Sequence, residues 1–317
     1  MDFTGDMLPS DALAARAHAD AGGTGYDFRP MLRNVAPILR SADWAVCHQE
    51  TPVSDDDVGL SGYPTFNAPY ELAEAEHDAG YDACDTASNH TLDLGTGGIA
   101  ATLKTLDRYH IQHTGSAVAP NTPPPIYNVH GVHIGHLAYT YGLNGISPPN
   151  PWCVNILDPA RIRADAHALK ARGADIVIVS MHMGIEKDQT PSDYERQMAA
   201  AVMQSPDVDL IVGAHAHVVQ PVQRLSDGRW IIYGLGNFLA QQDIAPGESQ
   251  TPPHRDGVIM QATFAQSAGK WRISKMGYVP TFVNAPSDVV EIAPAFSRAR
   301  TEAVLKSMGA PLTDLTP

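Results

Sequence analysis

Residues 209–217 read DLIVGAHAH, and this stretch does most to decide the fold. Its apolar run, residues 210–212, is typical of a buried strand, and the glycine that follows predicts an exposed turn where the strand ends. Two histidines at i and i+2 then stand at the edge of the predicted sheet. Neutral imidazole is the commonest metal ligand, so His215 and His217 are candidate ligands. If this pair stood alone, the alternative interpretation would be two histidines on a surface loop that bind no metal.

The same arrangement recurs at four other predicted strands. The polar residues that follow these strands are, in chain order, Asp6, Glu50, Asn89, His90 and His182. In open α/β sheets, ligands bind outside the carboxyl ends of the strands, so five strands are expected to bring these groups and the two histidines to one edge. Each residue alone has an ordinary alternative, as a turn residue, a helix cap, a solvated acid or a core histidine.

The expected ligand set consists of two carboxylates, one amide and four imidazoles, with no thiolate. Such a set suits a divalent ion such as Mn, Zn, Fe, Ni, Co or Ca. This set contains more ligand groups than one ion uses. One or two ions are therefore expected, and a carboxylate shared by two ions would bridge them at about 3.5–4 Å.

The composition of the chain excludes some classes of binding partner. The chain has 317 residues, 44% of them hydrophobic, and a formal net charge of −14. Nucleic acid is an unsuitable partner because its phosphates require a basic surface. No apolar run approaches the roughly 18–20 residues of a membrane span, and no secretory signal precedes the first predicted strand. The three cysteines, Cys47, Cys84 and Cys153, lie in apolar surroundings and are predicted to be reduced core residues, which makes the cytoplasm the expected compartment.

Strand and helix patterns alternate over the first two thirds of the chain, and strands dominate afterwards. Helices are predicted at residues 30–41, 69–79, 97–109, 158–172, 191–204 and 295–308. This order predicts an α/β fold of mixed sheets covered by helices. No linker-like segment divides the chain, so residues 1–317 are expected to form one domain. The segments at 144–151 and 245–253, rich in Pro, Gly or Asn, are predicted to be long loops.

The motifs together resemble those of the CapA family of poly-γ-glutamate capsule-synthesis proteins, a divergent branch of the calcineurin-like metallophosphoesterases. The matching segments are FTGDML (3–8), QETP (49–52), ASNHTLDLG (87–95), SMHMG (180–184), GAHAHVVQP (213–221) and YGLGNF (233–238). The resemblance covers residues 3–240. It implies a four-layer α/β/β/α sandwich with a metal-dependent active site at one sheet edge, completed by the C-terminal strands and helix.

The resemblance also implies roles for individual residues. Asp6 and Glu50 would be the shared acids, and the remaining ligands would be Asn89, His182, His215 and His217. His90 would be an acid–base group beside the metals, and Asp93 would orient it. Asp6 is therefore expected both among the metal ligands and, with His90 and Asp93, among the catalytic residues.

The chain departs from the pattern of ordinary calcineurin-like enzymes at two motifs. The first motif in those enzymes is D-x-H, whereas here Asp6 is followed by Met7 and Leu8. The second carries an aspartate after glycine, whereas here Glu50 follows His48 and Gln49. One firmly held ion with a labile second ion is therefore an open alternative. Efficient hydrolysis, which needs both ions to clamp the attacking and leaving oxygens, is less expected.

Three chemistries remain open. Phosphoester hydrolysis would use His90 to protonate the leaving group. A role in making or trimming poly-γ-glutamate is less expected, because members with that role are usually anchored or exported. The third is epimerisation at Cα of the C-terminal residue of a ribosomal lasso-type precursor peptide, as in cytosolic proteins that resemble this family. The sequence favours this third function, with a peptide as substrate; a non-catalytic metal-holding module that binds a peptide or polyglutamate is the remaining alternative.

Overall fold

The computed structural model describes residues 1–242, 252–285 and 287–317. Most of the predicted loop at 245–253 lies outside these ranges. The helices are α1 (Asp11–Asp20), α2 (Arg29–Leu32), α3 (Ala36–Leu39), α4 (Glu71–Ala79), α5 (Gly95–Arg108), α6 (Pro159–Ala171), α7 (Asp193–Val202) and α8 (Ala295–Leu305), with a 3₁₀ turn at Pro253–Arg255. The strands are β1 (Asp2–Leu8), β2 (Ala45–Gln49), β3 (Ala83–Asp85), β4 (Gln112–Thr114), β5 (Ile126–Val129), β6 (Val132–Thr140), β7 (Ile176–His182), β8 (Leu210–Ala214), β9 (Val222–Arg224), β10 (Trp230–Ile232), β11 (Asn237–Ala240), β12 (Asp256–Ser267), β13 (Lys270–Asn284), β14 (Val289–Ile292) and β15 (Thr313–Asp314).

The strands form two mixed sheets. The first has the order β14-β13-β12-β1-β2-β3-β4, with β11 beside β1 and β15 beside β13. Its strands β1 to β4 are parallel, whereas β12, β13 and β14 pair antiparallel. The second has the order β5-β6-β7-β8-β10-β9, with parallel strands at its centre and antiparallel strands at both edges.

The alternation of side chains along β7 shows how the layers pack. Ile176 and Ile178 join a core cluster that also contains residues of the first sheet, such as Phe3. Val177 and Val179 point to the opposite face and pack with helices α6 and α7. Because successive side chains of a strand point to opposite faces, a continuous apolar run covers both faces. The two sheets therefore pack against each other.

The outer face of the first sheet packs against helices. Its cluster joins Cys47 of β2 with Leu13 of α1, Leu39 of α3 and Leu72 of α4. Helices thus cover both outer faces, and the four-layer α/β/β/α sandwich is confirmed.

The helix predicted at residues 30–41 is instead two short helices, α2 and α3. Pro37 lies in the first turn of α3. Proline has no backbone N–H to donate to the carbonyl four residues earlier, and its ring crowds that carbonyl, so the helix is interrupted before this position. Helix α1 and strand β11 were not predicted. Helix α1 begins at a capping serine, Ser10, whose side chain accepts a hydrogen bond from the Leu13 backbone N–H.

The prediction that all three cysteines are reduced is wrong. Cys47 and Cys84 are bonded as a disulfide, with their Cα atoms 4.5 Å apart, whereas Cys153 is free and buried. The physical reason is tertiary: Cys47 of β2 is the register partner of Cys84 of β3, and both side chains lie on the helix-covered face. Since disulfides persist mainly in oxidising compartments, the argument from cysteines for a cytoplasmic location no longer holds.

Among the described residues, no helix is both long and apolar enough to cross a lipid bilayer.

Candidate metal centre

The ends of five strands place the predicted ligands where the two sheets face each other. Three of these strands, β1, β2 and β3, belong to the first sheet, and the other two, β7 and β8, belong to the second. The expectation of a single sheet edge was therefore too simple. The residues brought together are Asp6, Glu50, Asn89, His90, His182, His215 and His217, and each is less than one-tenth exposed.

Asp6 and His217 form a buried ion pair. The Asp6 Oδ2 and His217 Nδ1 atoms are 2.9 Å apart, and Asp6 Oδ1 accepts a weak hydrogen bond of 3.4 Å from the His215 backbone N–H. Burial opposes the charge on both groups, but their mutual attraction prevails. It lowers the pKa of Asp6, and together with Glu50 it raises the pKa of His217 to about 10. A cation bound at the His217 ring would displace the proton that His217 holds.

The segment that carries the two histidines has an unusual backbone. His215 and His217 have φ angles of +92° and +55°. Residues other than glycine adopt this left-handed region rarely and at a cost, so the surrounding structure must impose it. The side chain of Asn237, at the start of β11, holds the segment, since its Oδ1 atom lies 3.0 Å from His217 Nδ1.

Glu50 is a buried carboxylate without a donor. It is 1% exposed, and neither of its oxygens has a hydrogen-bond partner among the described residues. Its Oε1 atom lies 3.7 Å from His217 Nε2. Burial raises the pKa of Glu50 to about 7, despite the opposing effect of His217. The Nδ1 atom of His215 is likewise buried without a partner. Unpaired buried polar atoms are costly, and a cation would satisfy both groups.

His182 connects the two sheets. Its Nδ1 atom lies 2.8 Å from His48 Nε2, and its Nε2 atom lies 2.8 Å from the side-chain oxygen of Asn89. Burial, followed by repulsion from His215, lowers the pKa of His182 well below its ordinary value. His182 is therefore neutral, as a metal ligand must be.

His48 and Asp85 were not predicted, yet they belong to this network. His48 Nδ1 is hydrogen-bonded to the carboxylate of Asp85, its register partner on β3. Burial lowers the pKa of His48, but the attraction of Asp85 outweighs it and raises this pKa to about 9. His48 provides an imidazole beside Asp6, whose own motif lacks one. A sequence signal existed, because His48 precedes Glu50 by two residues, as His215 precedes His217.

His90 lies at the margin of the centre in a defined orientation. Its Nδ1 atom is 2.9 Å from the Oδ2 atom of Asp93, which also accepts a 2.9 Å hydrogen bond from the Phe66 backbone N–H. The Phe66 ring contacts the imidazole edge-on, with centroids 4.7 Å apart. A carboxylate can only accept, so an ionised Asp93 holds the proton on Nδ1 and leaves His90 Nε2 as the basic nitrogen.

Three groups of ligand atoms in this region are compact enough to hold a cation. Within each group, one ligand atom from every residue lies within 4.8 Å of the others. The groups are Asp6–His48–Glu50, Glu50–His182–His215 and Glu186–His215–His217. All members are buried except Glu186, which was not predicted. The oxygen and nitrogen donors and the unpaired atoms of Glu50 and His215 fit divalent ions.

Aromatic side chains border the centre. The Tyr141 ring, which is 41% exposed, lies against His215 with centroids 4.6 Å apart. Three residues further along the chain, Asn144 accepts a 3.1 Å hydrogen bond from the side chain of Asn89. The predicted long loop at 144–151 thus begins at the centre.

Residues 1–242 match the family model described as bacterial capsule synthesis protein PGA_cap. The chain belongs to this family. It is 28% identical over 287 residues to the PGA biosynthesis protein CapA of Bacillus subtilis (strain 168), covering 82% of this chain and 65% of that protein. It is 28% identical over 237 residues to the capsule biosynthesis protein CapA of Bacillus anthracis, covering 69% of this chain and 55% of that protein.

The chain thus spans less than two thirds of the length of either CapA protein. Among solved structures, the calcineurin-like phosphoesterase YfkN from Bacillus subtilis is similar, with a TM-score of 0.50 and 16% identity over 88% of this chain and 90% of that one. This likeness concerns the fold. The family assignment and the fold agree with the resemblance drawn from the motifs.

Proposed function

We propose that this PGA_cap-family chain is a divalent-metal-dependent enzyme that acts on a peptide. Its reaction is inversion at Cα of the C-terminal residue of a ribosomal precursor peptide of the lasso type. The observation that carries the metal-dependent part is the buried, unpartnered carboxylate of Glu50 among imidazoles. The proposed ligands are Asp6, Glu50, Asn89, His182, His215 and His217, and residues 1–317 are proposed to act as one domain.

A bound divalent ion supplies positive charge that neutralises a substrate carboxylate and acidifies the adjacent Cα–H. His90 moves the proton through its Nε2 atom, which has no hydrogen bond to any described residue, while Asp93 fixes the ring through Nδ1. Inversion breaks one Cα–H bond and forms another on the opposite face, so a second proton carrier is required on the ligand side. Asp6 contributes by its buried charge, which orients His217.

Charge and apolar surface favour a peptide over a polyanion. The chain has a net charge of −14, and carboxylates contribute to each of the three ligand groups. A long polyanion such as poly-γ-glutamate would be repelled, whereas a single terminal carboxylate could be neutralised by a cation. The exposed ring of Tyr141, which lies against His215, offers apolar surface for a peptide side chain.

Phosphoester hydrolysis is the second candidate. The observation that favours it is the sharing of Glu50 between two of the ligand groups, since a shared carboxylate is typical of two-metal hydrolases. A role in making or trimming poly-γ-glutamate is a further candidate, because the two CapA relatives are named for PGA biosynthesis and capsule biosynthesis. A non-catalytic module that holds metal and binds a peptide is the alternative outside the enzymes.

The test is incubation of the manganese-loaded protein with a candidate precursor peptide in deuterated water. We expect deuterium at one Cα, measured by mass spectrometry, and inverted configuration at that residue. Both should be lost on chelation and in His90→Ala, because the proton carrier is removed. The matched control is His167→Ala, an exposed histidine paired with Asp207.

The alternatives give different results in the same preparation. Cleavage of an aryl phosphate without deuterium incorporation would favour hydrolysis and overturn the epimerase proposal. Peptide binding that persists without any turnover would indicate a binding module. Lengthening or shortening of poly-γ-glutamate chains would favour the role in making or trimming that polymer over the epimerase proposal.

A further inference from the structure

One ligand group of the centre differs from the others in its exposure. Glu186 is exposed, whereas its partners His215 and His217 are buried. A carboxylate oxygen of Glu186 and one ring nitrogen of each histidine all lie within 4.8 Å of one another. An exposed acidic side chain on a loop is commonly just solvated. The question is therefore what holds Glu186 close to the two histidines.

The backbone of the Glu186 loop, residues 183–190, provides the answer. The Lys187 N–H donates a 2.7 Å hydrogen bond to the carbonyl of Ala216, which lies between the two histidines. The side chain of Gln220 donates a 2.9 Å hydrogen bond to the carbonyl of Asp188. The φ angle of Lys187 is +63°, a strained value for a residue with a side chain. The loop is therefore attached directly to the segment that carries His215 and His217.

The three ligand groups form a series from the interior to the surface, and each group shares one residue with the next. Glu50 belongs to the first two groups, and His215 belongs to the last two. The first two contain buried residues alone, whereas the third ends at solvent. Charges near solvent interact in a higher effective dielectric than buried charges, so the exposed carboxylate attracts a cation less strongly.

We infer that Glu186, His215 and His217 form an outer cation position, which lies next to the buried positions around Glu50 and shares His215 with one of them. This inference rests on the proposed metal dependence, and it explains how one ion can be held firmly while a second exchanges with solvent. The ligand is a divalent cation such as Mn²⁺, for which carboxylate and imidazole are suitable ligands.

The test is a titration of the full chain with Mn²⁺, followed by calorimetry and by the electron paramagnetic resonance signal of free Mn²⁺. We expect a tight and a weak class of sites in the unaltered protein. Glu186→Gln should weaken the weak class at least about tenfold and leave the tight class unchanged. The matched control is Glu302→Gln, which removes a surface partner of Lys306 on α8 and should change neither class.

The outcomes separate this inference from the proposed function. If the unaltered protein binds no Mn²⁺, the metal-dependent function is overturned. If it binds two classes and Glu186→Gln retains both affinities, the outer position is overturned while the centre stands. Loss of the tight class in Glu186→Gln would also overturn the inference, because Glu186 would then serve the buried positions.

Discussion

Glu50 and Glu76 are both buried carboxylates without hydrogen-bond partners in the part of the chain that the structure describes, yet they lie in contrasting surroundings. Glu50 faces the imidazoles between the two sheets, and burial raises its pKa to about 7. Glu76 lies on α4 on the outer side of the first sheet, against the disulfide of Cys47 and Cys84, and burial raises its pKa to about 8.

The difference shows that burial alone does not make a functional site. The energetic cost of an unpaired buried carboxylate is present at both positions. Several imidazoles lie close to Glu50 and can act as ligands together with it, so a cation can be bound there. Beside Glu76 the sulfurs of Cys47 and Cys84 are used in a covalent bond and cannot act as thiolates. We therefore expect mutations to affect metal binding in the first region and stability in the second.

The largest effect is expected from His182→Ala. The variant removes an imidazole that contacts both His48 and Asn89, so metal affinity should fall by more than the ~10–100-fold typical of an outer-shell partner. Calorimetry with Mn²⁺ measures the change. His136→Ala is the matched control, because His136 is equally buried but is hydrogen-bonded to Ser180 within the second sheet. Equal losses of affinity in the two variants would show that His182 has no specific part in binding the metal.

Glu76→Gln should change the dependence of stability on pH. The raised pKa of Glu76 means that the folded state binds a proton more strongly than the unfolded state, whose pKa is near 4.5. This contribution to stability is complete below pH 4.5 and is lost as the pH rises towards 8. The glutamine variant cannot ionise, so it should be more stable than the parent at pH 8.5 by on the order of a few kcal/mol, with a much smaller difference at pH 4.

Urea unfolding at the two pH values measures this effect. Glu74→Gln is the control, since Glu74 is a partly exposed residue of the same helix. A difference between parent and Glu76→Gln that is the same at both pH values would show that Glu76 does not titrate in this window.

The third expected effect is a loss of stability when the disulfide is removed. Replacing both Cys47 and Cys84 by alanine removes a cross-link between residues 37 apart, which typically costs about 2–4 kcal/mol. Cys153→Ala, at a buried cysteine without a disulfide, controls for the loss of cysteine packing. Counting thiols in the denatured, unreduced protein tests the bond directly. One thiol per chain is expected, and three would contradict the disulfide.

Much of the fold was predictable because it depends on local patterns. Alternating apolar strands and amphipathic helices predicted the α/β class, and Asp158 with Pro159 correctly predicted the start of α6. The short helices α2 and α3 were predicted as one helix because Pro30 suits the first turn of a helix, and the break before Pro37 was missed. Helix α1 was missed, although Ser10 provides a capping signal at its start.

The sequence by itself determined which residue types stand at the ends of five strands, since strand periodicity and glycine-terminated apolar runs are local properties. Only the tertiary structure decided that these ends come from two facing sheets, that His48, Asp85 and Glu186 join them, and that Cys47 and Cys84 form a bond. The physical reason is that register between strands and contact between sheets depend on residues far apart in the chain. Apart from the spacing of His48 and Glu50, such pairings leave no trace in any one segment.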